Sequence, residues 1–165
     1  MAESGEFDFS VAPGAEIISD SRCFVCGMAN AGGLQVRFHR MGDSEARAVC
    51  EPGRQFAGYD GLLHGGVSAS LLDEIMIKAV LASGRLVVTG RMNVHYRRPV
   101  PMGRKIFLEG RILRQRGRVF ETEGLITDGE QTLVRAEGTY VELQGDQRQR
   151  LMQSLGAAQE PQDPS

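Results

Sequence analysis

His64 is followed at once by two glycines, Gly65 and Gly66, and Asp73 stands nine residues after the histidine. The run from Val67 to Ser83 is rich in Ala, Leu, Ile and Met, and Gly84 follows it, so the spacing predicts a helix that begins at the glycines. The first N–H groups of a helix have no intrahelical partner, and the helix dipole is positive there. Glycines at that end let an acceptor oxygen approach the backbone closely. Gly65 and Gly66 are therefore a candidate site for a developing oxyanion. Asp73 brings a carboxylate into the apolar run, and its helical neighbours Ala69, Ser70, Met76 and Ile77 offer it no cation. A carboxylate so placed is costly unless it is hydrogen-bonded or has chemistry to do. Glu74 and Lys78, four apart in the favourable order, account for each other instead.

His64 and Asp73 cannot act together from one helix. Nine residues rise about 13 Å and turn the two side chains to opposite sides. Either they serve separate ends, or a second copy of the chain completes the site. The second reading predicts a homodimer with its sites at the subunit interface.

The elements that must position these groups follow from patterning. The helix is apolar on nearly every face, which marks it as buried all round. It is too short and too interrupted by charge to span a membrane. Upstream, Leu34 to Phe38 alternates as a strand, with Ala46 to Cys50 as its partner across a turn at Met41-Gly42-Asp43. Downstream lie four strand-like segments, near 86–98, 105–114, 119–127 and 132–143, the last pair joined by an Asp128-Gly129 hairpin turn. Short turns between these strands predict an antiparallel meander. The architecture is α+β, a sheet of about six strands wrapped round one long helix. Residues 1–20 read as a flexible arm, 21–144 as the domain, and 145–165 as a polar, mostly disordered tail with at most a short helix near Leu151 to Leu155.

At 165 residues, with 24% charged and 41% hydrophobic, the chain reads as one globular domain. Its net charge of −2 leaves no electrostatic footprint for nucleic acid or an anionic membrane. The acidic start has no apolar signal segment, and three cysteines argue against a disulfide framework, so a cytoplasmic location is expected. Cys23 and Cys26 form a Cys-x-x-Cys pair, which reads as zinc-binding, as redox-active, or as a turn with two buried thiols. A closed zinc site needs four ligands, and Cys50, His39, His64 and His95 supply no second paired motif, so no metal is expected.

This order of elements, with His-Gly-Gly at the helix start and an aspartate nine residues on, resembles the hotdog fold. It is most similar to the phenylacetate-pathway (PaaI-type) acyl-CoA thioesterases, over about residues 20–143. Cys23-x-x-Cys26-Gly27, Asn30 and Gly33-Leu34 match the family's opening, and Gly58-Tyr59-Asp60-Gly61 and Arg97-Arg98-Pro99-Val100-Pro101 fit as well. The resemblance implies hydrolysis of an acyl-CoA thioester. Gly65 and Gly66 match the amides that polarise the carbonyl, Asp73 the base or nucleophile, and His64 a residue that orients the thioester. Thr89 matches a hydroxyl that positions the water or the acid. Phe56, Tyr59 and Val67 are candidates for the acyl groove, together with Met76 and Met92. Arg91, Arg97 and Arg98 are candidates for the coenzyme A phosphates, since guanidinium matches phosphate geometry. On a strand, 97 and 98 point to opposite faces, so at most one serves from within the sheet. Gly58 stands where several members carry an asparagine or glutamine for the nucleophilic water. The family forms dimers, often paired into tetramers, with acyl-CoA as substrate and no separate cofactor. A hotdog hydratase or dehydratase and a non-catalytic acyl-CoA sensor are the alternative functions.

Overall fold

A computed structural model describes residues 13–157 of the chain. The order is β1 (His39–Arg40), β2 (Glu45–Cys50), a short 3-10 turn (Arg54–Phe56), α1 (Gly65–Ala82), β3 (Val87–Tyr96), β4 (Ile106–Arg116), β5 (Val119–Thr127), β6 (Thr132–Glu142) and α2 (Gly145–Ala157). All six strands form one antiparallel sheet in the order β1-β2-β4-β5-β6-β3, and α1 packs along it. This is the α+β architecture expected from the sequence, a sheet wrapped round one helix.

The helix can lie close on the sheet because two strands offer glycine beneath it. Gly110 on β4 pairs with Gly124 on β5. A Cβ at Gly110 would meet the Ile75 carbonyl oxygen at 2.4 Å, and one at Gly124 would meet Met76 and Leu72 side chains at 3.1 and 3.2 Å. Leu71, Leu72, Ile75, Met76, Ala79 and Val80 are thereby sealed from solvent, with Ile106, Leu108, Phe120, Ile126 and Val134 opposite them. Burying a Leu or Ile side chain contributes roughly 1.5–3 kcal/mol, so this interface dominates the stability of the domain. One stripe of α1 escapes: Ala69, Ser70, Asp73 and Ile77 are only half-buried. The spacing of three to four residues puts them on one face.

Four expectations need correction. The meander covers β4, β5 and β6 only; β3 crosses to the far edge and pairs with β6. The link from Arg97 to Lys105 is long enough to permit this, and it is pinned to the loop before α1 by Leu63 N–H to the Val100 carbonyl and Met102 N–H to the Gly61 carbonyl, both 2.9 Å. Leu34 to Phe38 is not a ladder strand. Gln35 takes φ +53°, which breaks the extended run, and pairing begins only at His39. In the expected tail, α2 runs the full length from Gly145 to Ala157 and buries Leu155.

Part of the expected arm is also packed: Ile17 is buried and its N–H donates to the Phe38 carbonyl at 2.8 Å. Residues 1–12 and 158–165, the rest of the expected arm and tail, lie outside the described residues. Among the described residues no helix is long and apolar enough to cross a membrane.

Candidate active site

The start of α1 is built by its own cap. His64 is the N-cap, and its Nδ1 accepts the Gly66 N–H at 2.9 Å. The Val67 and Ser68 N–H groups turn back to the His64 carbonyl, both at 3.0 Å. Gly65 N–H has no partner among the described residues. Of the two glycine amides, then, Gly65 is open and Gly66 is held by the histidine ring. Tyr96, at the end of β3, donates its hydroxyl to the Gly65 carbonyl at 2.7 Å and so ties the helix start to the edge strand. His64, Gly65 and Gly66 are all exposed.

Beside this helix start is a cavity of about 250 Å³ lined by Leu63, Gly65, Ser68, Tyr96, Arg97 and Arg98 among others. Both arginines reach it. β3 ends at Tyr96, and the N–H groups of Arg97 and Arg98 both turn to the Leu133 carbonyl, at 3.0 and 2.9 Å. The alternation expected of strand neighbours does not extend to this pair. Arg91, further back on β3, is exposed and apart from this cavity.

Asp73 lies two turns into the helix, on the half-buried stripe. Its Oδ1 accepts two hydroxyls, from Thr89 on β3 and from Tyr140 on β6, each at 2.8 Å. Oδ2 has no partner among the described residues. Since no buried side-chain polar atom goes unpartnered among the described residues, Oδ2 has some exposure. Tyr140 is fully buried. Burial, and then the neighbouring Asp73 charge and hydrogen bond, push its hydroxyl far above the ordinary tyrosine range. It therefore stays a proton donor to the carboxylate at any working pH. The resemblance gave Thr89 a hydroxyl for either the water or the acid, and here it meets the acid; the sequence did not single out Tyr140 or Tyr96 for the site. A tyrosine on an alternating strand carries no local mark that its hydroxyl has a partner.

Other candidates are placed elsewhere. Phe56 is buried, edge-on to Phe24 with ring centroids 6.1 Å apart, and anchors its loop. Tyr59 is 84% exposed. Val67 packs at the margin of the core, as does Met92, and Met76 is sealed inside it. A Cβ at Gly58 would stand 3.1 Å from the His64 Cα, so a side chain there would crowd the cap. The helix start and Asp73 do not meet within one chain: eight residues of helix separate Gly65 from Asp73, a rise of about 12 Å.

A second polar cluster lies on α1 beside the first. Glu74 pairs with buried Lys78 at 3.6 Å, as expected from the sequence. Cys23, Cys26 and Glu74 offer ligand atoms within 4.8 Å of one another. A divalent metal there would share Glu74 with the Lys78 ammonium and would find no fourth protein ligand among the described residues, so the cluster fits a metal poorly.

Residues 60–135 match the model of the thioesterase superfamily. Acyl-coenzyme A thioesterase THEM4 of Bos taurus is 31% identical over 109 residues, covering 56% of this chain and 44% of that protein. The chain thus spans less than half the length of this curated relative. Among solved structures, the thioesterase superfamily protein RHA08564 is 28% identical with a TM-score of 0.70, over 80% of this chain and 69% of that one. The smu.793 protein of Streptococcus mutans UA159, bound to acetyl CoA, shares the fold with a TM-score of 0.62 at 18% identity, over 66% and 88%. The chain thus shares the fold of these thioesterase structures, and the His64-Gly65-Gly66 cap, Asp73 and Thr89 all lie inside the stretch that matches the thioesterase superfamily model.

Proposed function

We propose that this chain hydrolyses acyl-CoA thioesters. The observation that carries the reading is the state of Asp73: a half-buried carboxylate held at one oxygen by two neutral hydroxyls, with no cation or other partner on the second oxygen among the described residues. Oriented but not neutralised, it keeps a lone pair for chemistry. The thioester carbonyl oxygen is assigned to the Gly65 N–H, with the Gly66 N–H joining once the His64 ring turns away. The negative charge that forms on that oxygen is stabilised by the amide and by the positive end of α1. Asp73 either takes a proton from water, whose oxygen then bonds to the carbonyl carbon, or attacks that carbon itself. The carbon–sulfur bond then breaks, and coenzyme A leaves as a thiolate that takes up a proton. In the second route water hydrolyses the acyl-aspartyl anhydride. The reaction as proposed uses no metal and no further cofactor.

The site requires two copies of the chain. Gly65 of one copy and Asp73 of the other meet if the subunits pair along β3. Three features support that pairing. β3 is a sheet edge ten residues long. It exposes Val88 and Tyr96 at 44% and 54%. The open stripe of α1 lies next to it, tied through Thr89. A long bare edge with apolar side chains is a template for another strand. Arg97 and Arg98 at the cavity, and Arg91 on β3, are assigned to the coenzyme A phosphates. A PaaI-like subtype, pairing of dimers into tetramers, and a cytoplasmic location belong to the same proposal.

The test is thiol release from short, long and aryl acyl-CoAs by the parent and by Asp73→Ala, with dimer mass measured beside it. Turnover that collapses in the folded variant supports the reading. Tight acyl-CoA binding without turnover, unchanged in Asp73→Ala, would instead identify a sensor. Single-turnover hydrolysis in heavy-oxygen water identifies the nucleophilic route when label appears on Asp73, because only attack of water on the aspartyl carbonyl of an anhydride puts it there.

A further inference from the structure

The proposed hydrolysis leaves the Cys23–Gly27 turn unused, and its construction differs from that of a plain buried turn. Gly27 N–H closes it on the Cys23 carbonyl at 2.9 Å, and the Val25 N–H points at the Cys23 sulfur at 3.4 Å. A Cβ at Gly27 would lie 2.5 Å from the Cys23 backbone, so the turn is tight enough to require glycine there. Both sulfurs and a Glu74 carboxylate oxygen lie within 4.8 Å of one another. The sulfurs are unequal: Cys23 is half-buried and Cys26 is 2% exposed. The charged groups facing the pair both come from α1. Glu74 Oε2 is 3.8 Å from the Cys23 sulfur, and the Lys78 ammonium stands on the other Glu74 oxygen while bonding Ser19 Oγ at 3.2 Å and the Ile18 carbonyl.

We propose that Cys23 and Cys26 are a reversible dithiol–disulfide site, with Cys23 the nucleophile toward low-molecular-weight disulfides and Cys26 the thiol that resolves the adduct. The arrangement has the parts such a site needs: an accessible sulfur that receives N–H groups, and a second, sheltered sulfur within 4.8 Å of it. The hydrogen bond with Cys26, the largest influence, pulls the Cys23 thiol down to about 6 against the opposing effects of burial and Glu74. Cys26 is pushed well up, first by its bond to the Cys23 sulfur and then by burial. Once Cys23 is in a mixed disulfide its charge is gone, and the main hold on the Cys26 proton goes with it. The steps balance. Cys23 thiolate attacks one sulfur of the small disulfide, whose S–S bond breaks and releases one thiolate, which takes up a proton. Cys26 then loses its proton to solvent and attacks the Cys23 sulfur, releasing the second small thiol. Two protein thiols are oxidised by two electrons to one disulfide, and the small disulfide is reduced to two thiols.

The third cysteine is a built-in control, since burial pushes the Cys50 thiol up to about 12. The experiment treats the full chain with glutathione disulfide, quenches with an alkylating agent, and reads intact and peptide masses. The parent is expected to lose two hydrogens without gaining glutathione, to protect Cys23 and Cys26 together, and to recover with dithiothreitol. Cys26→Ser is expected to hold glutathione on Cys23. In the untreated parent, Cys23 is expected to alkylate about tenfold or more faster than Cys50 at neutral pH. That rate is expected to level off above a pH of about 6. A glutathione adduct that persists on Cys23 in the parent overturns the proposal. So do alkylation of Cys23 no faster than Cys50, or thiols shielded by bound zinc until a chelator is added. The parent measurement decides even if the variant fails to fold, and it is independent of whether the chain hydrolyses thioesters.

Discussion

Asp73 and Glu74 are adjacent carboxylates on one helix, both half-buried, with opposite surroundings. Glu74 faces the Cys23 turn and has the Lys78 ammonium, buried to 1% exposure, at 3.6 Å. Asp73 faces the edge strand, and among the described residues its carboxylate has only hydroxyls as partners, from Thr89 and Tyr140. A buried ion pair satisfies both its members and leaves neither free for chemistry. Hydroxyl donors fix a carboxylate's direction while leaving its charge in place. One step along the helix thus separates a carboxylate paired with a cation from one held by hydroxyls, because about 100° of rotation turns them toward different neighbours.

Substitutions can break this contrast. The largest effect is expected from Asp73→Asn, which keeps the shape and removes the base. Thioester turnover should fall about 10²- to 10⁴-fold, while the melting temperature stays near that of the parent. Lys78→Met inverts the pattern. It strands Glu74 and should destabilise the fold by about 3–5 kcal/mol in urea titration, with the folded fraction still turning over substrate at close to the parent rate. A third variant, Tyr140→Phe, removes one of two donors to Asp73. A hydrogen bond to a charged group is worth about 1.5–3 kcal/mol, so turnover should drop about tenfold or more, and circular dichroism should report an unchanged fold. Thr89→Val sharpens the comparison with the smallest change. It preserves the β-branched shape on an exposed strand, and steady-state kinetics should show a loss of several-fold at most. A Thr89→Val effect larger than that of Tyr140→Phe would mean that the hydroxyl acts on the water rather than on the aspartate.

Much of this contrast was legible in the sequence, and the reason is locality. The Glu74–Lys78 pair follows from a spacing of four, the ends of α1 from glycines, and the β5–β6 hairpin from Asp128-Gly129, where Asp128 Oδ1 takes the Glu130 and Gln131 N–H groups at 3.0 and 2.8 Å. What depends on distant pairing was not legible. Tyr140 reaches Asp73 across 67 residues, and only the β3–β6 ladder, with Thr89 opposite Tyr140, brings both hydroxyls to one oxygen. Strand order hid β3 at the edge for the same reason: a link of given length permits a neighbour or a crossing. The His64 cap was missed because histidine is not among the preferred capping residues, so nothing local announced that its ring would take the Gly66 N–H. Phe56 and Tyr59 share a loop and a chemistry, yet one is core and the other solvent, and only packing separates them.

The central claim is that the Gly65 amide of one copy works with Asp73 of the other. Complementation tests it most directly. A Cβ at Gly65 would make only ordinary contacts, 3.6 Å from the Tyr96 ring, so Gly65→Ala should fold while obstructing the carbonyl's approach. Asp73→Asn and Gly65→Ala, each inactive alone, would be co-expressed with different tags and the mixed dimer purified. The account predicts recovered thiol release, because a mixed dimer holds one site with both native residues and one with neither. A mixed dimer as inactive as its parents would contradict it, since each site would then draw its amide and its carboxylate from the same chain.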